Sequence, residues 1–141
     1  MIQRIQSLWL LVVVIAGFAT YSFNLFIGNL PDGSKRIFPL AESLLLAIGS
    51  IVIAILALIC IFLYKNRKLQ FRLSVIGSIL SFLFLFLEYS VVESLKKTEG
   101  ITSGAYQIGA LLPIVMGIFF IMAARGIYKD EKLVKSLDRL R

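Results

Sequence analysis

The spacing of charged residues constrains this chain more than any other feature of its 141 residues. No charge occurs between Arg4 and Asp32, between Glu42 and Lys65, or between Glu99 and Arg125, and Glu88 alone interrupts the stretch from Arg72 to Glu93. A helix that crosses a ~30 Å hydrocarbon core needs roughly 20 predominantly apolar residues. The gaps therefore predict four membrane spans, at about 5–27, 40–63, 73–95 and 104–124, followed by a tail over 125–141, all within one domain covering 1–141. Inside lipid every backbone N–H and C=O must be bonded within its own segment, which selects helix even for β-branched runs such as Val12-Val13-Val14-Ile15. A transmembrane barrel needs strict alternation of apolar and polar residues, and Leu80 to Leu87 is apolar on every face. The expected fold class is an all-α membrane protein, a four-transmembrane-helix bundle. Composition agrees: 59% hydrophobic and 16% charged residues stand against the ~45–50% and ~25% of soluble domains.

Loop charge sets the expected orientation, because short loops rich in Lys and Arg stay in the cytoplasm. Arg4, the loop Lys65-Arg67-Lys68-Arg72 and the tail together hold 11 of the 15 Lys and Arg residues, so both termini are expected in the cytoplasm, in a bacterial inner membrane. The formal charge of +7 is accounted for by this topology and by attraction to anionic lipid, and a nucleic-acid partner is not needed. The apolar run after Arg4, with Gly17 and Ala19, weakly matches a cleaved signal, but apolar character continues through Tyr21 to Ile27 and argues for a retained span. Turn chemistry is concentrated in the first outer loop, where Leu30-Pro31-Asp32-Gly33 suits a type I turn. Phe26, Ile27, Ile37 and Phe38 flank it and suit a small β-hairpin on the outer surface, against the plainer reading of a connecting loop. The third loop, Lys96 to Ser103, reads as a flexible polar turn.

Each span carries a stripe of small or polar residues, the kind of surface through which helices approach closely in lipid. These are Gly17, Thr20 and Asn24 in the first, Ser43, Ala47, Ser50, Ala54 and Ala57 in the second, Ser74, Ser78, Ser81 and Glu88 in the third, and Gly109, Pro113 and Gly117 in the fourth. Pro113 removes a backbone donor and crowds the Gly109 carbonyl, so a kink is expected there. Glu88 is the residue that invites chemistry. At 1.5 Å per residue it lies roughly 22 Å from the cytoplasmic edge of its span. An ionised carboxylate facing hydrocarbon is costly, so it should face the bundle or water. Two readings stay open. Glu88 is a proton or cation site, as in a small proton-coupled transporter, or it is a protonated or hydrogen-bonded packing group with Asn24, Thr20, Tyr106 or Gln107 as partners. Glu93 and Glu42 are expected at the outer interface, solvated or paired with Lys96, Lys97 or Arg36.

The chain has no histidine, which excludes His-ligated haem, a His-containing zinc site and a Ser-His-Asp triad. Its single cysteine, Cys60, cannot form an internal disulfide. No phosphate loop and no metal-spaced acid cluster is present in the sequence, so no catalytic residue, metal site or cofactor is expected. The tail reads as a cytoplasmic amphipathic helix: Leu133, Val134, Leu137 and Leu140 form an apolar stripe beside Lys129, Lys132, Lys135 and Arg139. Such a helix lies on anionic lipid or docks into a partner.

The opening Met1-Ile2-Gln3-Arg4-Ile5-Gln6-Ser7-Leu8 and the ending Lys129 to Arg141 resemble a small four-span inner-membrane family of Bacteroidota, catalogued as domain of unknown function 4293. The resemblance implies an inner-membrane protein without an assigned activity, and it marks both cytoplasmic ends as distinctive. The expected function is non-enzymatic: an accessory or scaffold subunit that docks a partner through those ends. The alternative is a small proton-coupled transporter using Glu88. Composition leaves the oligomeric state open.

Overall fold

The computed structural model describes residues 3–138. Among these the chain is mostly helical, with helices α1 (Gln3–Ala19), α2 (Leu44–Phe62), α3 (Arg67–Glu99) and α4 (Leu112–Asp138), and strands β1 (Asn24–Asn29), β2 (Lys35–Pro39) and β3 (Ser103–Tyr106). Short 3-10 turns over Leu40–Glu42, Leu63–Lys65 and Ile108–Leu111 lead into or out of the long helices. Three helical stretches, Leu44–Lys65, Arg67–Glu99 and Ile108–Val134, are long and apolar enough to cross a membrane.

The helices pack in a ring: α1 against α2 and α4, and α3 against α2 and α4. Its interior is built from the expected stripes. Ser50, Ala54 and Ala57 of α2 and Ser74, Ser78 and Ser81 of α3 are buried, with Leu10, Val13, Phe84, Met116 and Phe120 filling between them. A Cβ placed on Gly17 would meet the Ala54 Cβ at 2.9 Å, so the absence of a side chain there sets how closely α1 approaches α2. Outward faces are apolar as well: Leu44, Ile48, Ile55, Phe62 and Phe86 are exposed. A water-soluble monomer rarely shows so continuous an apolar surface.

The first and fourth helices differ from expectation at the ends nearest the sheet. α1 stops at Ala19 rather than reaching 27. Its last turn tightens into i→i+3 bonds, Tyr21 N–H to the Phe18 carbonyl and Ser22 N–H to that of Ala19, while the Thr20 hydroxyl donates back to the Gly17 carbonyl. The following apolar residues, Leu25 and Phe26, are buried as part of β1. Their backbone groups are satisfied by sheet rather than by helix. The fourth helix begins at Leu112 rather than 104, because Ser103–Tyr106 pairs with β1 and Gly109 sits against the Asn24 backbone, where a Cβ would come within 2.5 Å of the Asn24 carbonyl oxygen. Pro113 consequently occupies the first turn of α4, where no intrahelical donor is lost. Near Gly109, where the kink was expected, the chain forms the 3-10 turn Ile108–Leu111 that leads into α4.

The hairpin expected around Leu30-Pro31-Asp32-Gly33 is present, and the sheet is larger than expected. Gly33 N–H bonds the Leu30 carbonyl at 3.0 Å and Leu30 N–H bonds the Ser34 carbonyl at 2.9 Å, with Gly33 at φ +79°. That is a type I turn closed by a left-handed residue, a common three-residue hairpin loop. The third loop is not a flexible turn. Gly100, at φ +66°, caps α3, both its N–H and that of Ile101 returning to the Lys96 carbonyl. The chain then enters β3, giving an antiparallel sheet of order β2-β1-β3. At 33 residues, α3 is about 50 Å long, and its end beyond α2 carries the sheet.

Candidate functional site

α3 positions most of the interior polar groups, and it satisfies its own hydroxyls. Ser74 donates to the Gln70 carbonyl at 2.9 Å, Ser78 to that of Val75 at 2.9 Å and Ser81 to that of Gly77 at 2.8 Å. Glu88 lies further along the same inward face and breaks the pattern. It is 1% exposed, and neither carboxylate oxygen has a hydrogen-bond partner among the described residues. It lines a cavity of about 520 Å³ bounded by Leu85, Phe86 and Tyr89 of α3, by Tyr106, and by Ile114 of α4.

The groups expected to partner Glu88 are placed as follows. Tyr106, in β3, shares the cavity with it, but its hydroxyl reaches Glu93 Oε1 at 3.5 Å. Gln107 directs its amide to the Ala105 carbonyl. Asn24 is half-buried in β1, its backbone against Gly109, and Thr20 is committed to the Gly17 carbonyl. Lys96 sits over the rings of Phe26 and Tyr106, 4.8 Å from each centroid, and donates to Glu93 at 2.6 Å. Partial burial raises the Tyr106 phenol above the ordinary tyrosine value, with Lys96 opposing, so the hydroxyl stays a neutral donor. The Tyr89 and Tyr106 rings stack at 6.3 Å between centroids beside the cavity.

The sheet is fastened over this region by an ion cluster. Arg36 of β2 donates from Nε to Glu99 at the end of α3, at 2.9 Å, and from a terminal nitrogen to Glu42. These bonds, Glu42 first and Glu99 second, raise the Arg36 guanidinium above its usual value, so it is charged throughout the accessible pH range.

At the opposite end α1 and α4 meet. Gln6 of α1 and Asp130 of α4, 6% and 7% exposed, are joined by a buried hydrogen bond from the Gln6 amide to Asp130 Oδ2. Gln70 of α3 donates to the Cys60 carbonyl of α2 at 3.0 Å. α4 runs on without a break to Asp138, and Tyr128, Lys129, Lys132, Leu133 and Val134 are exposed on it. Lys135 lies within this helix, and Arg139 lies outside the described residues. The pairing of Gln6 with Asp130 and that of Arg36 with Glu99 were not anticipated. Each joins residues far apart in sequence, and periodicity carries no signal for such pairs.

A family model described as a domain of unknown function, DUF4293, matches residues 2–140, and the chain belongs to that family. No curated protein matches the chain. No solved structure matches it either.

Proposed function

We propose that this chain is a non-enzymatic accessory or scaffold protein of a bacterial inner membrane, docking a protein partner with the end at which Gln6 of α1 meets Asp130 of α4. In this reading all four helices span the bilayer and both ends are cytoplasmic, as the Lys and Arg distribution favours. α1, with 17 residues, extends about 26 Å, a few ångströms short of a ~30 Å core, a mismatch that local thinning accommodates. The observation that carries the proposal is the buried Gln6–Asp130 bond, which makes the start of α1 and the extension of α4 one unit. On that braced extension Leu133 and Val134, 45% and 44% exposed, stand beside Lys129 and Lys132. Apolar residues beside lysines on one helix suit a groove with an acidic rim.

The experiment is site-specific photo-crosslinking of the full chain in its native membrane, with the photoreactive residue at Leu133 or Val134 and, for comparison, at outward-facing Ile48. One discrete protein adduct at the first two positions and none at Ile48 is expected. Failure to form an adduct at both 133 and 134, or the same adducts at all three positions, would sink the proposal. A second reading, a small proton-coupled transporter, is favoured by the unpaired Glu88 beside its cavity.

A further inference from the structure

Glu88 lines an apolar cavity with its carboxylate buried in the wall, and among the described residues neither oxygen has a hydrogen-bond partner. The lining is almost wholly hydrocarbon and aromatic. Lys96, which approaches the Tyr106 ring, is bonded to Glu93. The serines on the same helix face all return their hydroxyls to their own backbone, so none turns toward the acid. A cavity of about 520 Å³ falls within the roughly 300–1,000 Å³ range of small-molecule sites. Two features of the lining favour positive charge: the carboxylate itself, and the Tyr89 and Tyr106 rings, the second of which already draws the Lys96 ammonium to 4.8 Å from its centroid. The rest of the lining favours a hydrocarbon body.

We propose that this cavity is a binding site for a lipophilic monocation, an organic ammonium or its analogue, with Glu88 as the counter-ion, Tyr89 and Tyr106 as the aromatic wall, and Leu85, Phe86 and Ile114 around the apolar body. Glu88 lies eight residues before Lys96, roughly 12 Å along the helix axis at 1.5 Å per residue. That depth selects a ligand carried within the hydrocarbon rather than a phospholipid headgroup at the surface. The site requires no transport, so it stands whether or not the transporter reading does, and it makes no use of the α4 extension.

The test is equilibrium binding of tetraphenylphosphonium to the full chain in nanodiscs of phosphatidylglycerol, against empty discs of the same lipid. Saturable binding at one site per chain is expected. Glu88→Gln, which keeps the shape of the side chain, should weaken it at least tenfold. Ile114→Trp, which fills the cavity and leaves the acid in place, should weaken it comparably, whereas Asp32→Asn, in the exposed hairpin turn, should leave it within twofold. Binding no greater than that of empty discs, or a Glu88→Gln variant that binds as tightly as the parent, would overturn the proposal. So would a loss with Asp32→Asn equal to that with Glu88→Gln, which would assign the effect to general negative charge.

Discussion

The molecule buries an acid toward each of its ends and treats the two oppositely. Asp130 accepts a hydrogen bond from buried Gln6 and joins α4 to α1. Glu88, toward the sheet, is more deeply buried and has no partner among the described residues. A buried polar group with its hydrogen bond made stabilises modestly, and the same group without one costs its desolvation. The first arrangement is what holding helices together requires. The second lowers stability, and a feature of that kind points to a use other than cohesion.

The contrast predicts opposite responses to removing each acid. Asp130→Ala should cost about 2 kcal/mol, since it strands a buried amide donor and removes a charge-assisted bond. Cys60 is fully buried and the only cysteine, so maleimide labelling across a denaturant series reads the loss directly. An unchanged labelling midpoint would remove the distinction between the two ends. Glu88→Leu should move the midpoint the other way, by about 1 kcal/mol, because an apolar side chain of similar size replaces an unsatisfied one. A large destabilisation there would show that Glu88 is cohesive after all. Arg36→Ala should have the smallest global effect, below about 1 kcal/mol, since its carboxylate partners are partly solvated. Hydrogen exchange should nevertheless quicken across β2, whose tie to α3 runs through that side chain. Equal quickening around Gln6 and Asp130 would mean that the two regions are less independent than the comparison holds.

Different parts of the molecule were legible to different degrees. The small-residue stripe of α2 could be read residue by residue, because helical periodicity puts Ser50, Ala54 and Ala57 on one face whatever that face meets. Leu30-Pro31-Asp32-Gly33 announced its turn, because the proline and glycine requirements are local. β3 could not be read. Ser103-Gly104-Ala105-Tyr106 has little strand character of its own, and it is ordered by pairing with a β1 some 75 residues earlier. The same pairing explains the two misplaced helix ends: Leu25 to Ile27 and Gly104 to Ala110 are apolar or small enough to continue a span, and only the partner strands decide otherwise. At the candidate site, Glu88 was conspicuous as an acid in an apolar stretch. That none of its expected partners is bonded to it depended on where Tyr106, Gln107 and Thr20 were already engaged.

Taken alone, the order of residues determined the long apolar helices, their inward stripes and the position of the hairpin turn. Each of these follows from hydrophobicity and backbone preferences acting within a few residues. The three-dimensional arrangement decided where α1 ends and α4 begins, that β3 joins the hairpin in one sheet, that Gln6 meets Asp130, and that Glu88 is left beside an apolar cavity with no partner among the described residues. Those outcomes depend on hydrogen bonds and contacts between segments distant in the chain, and local pattern is blind to them.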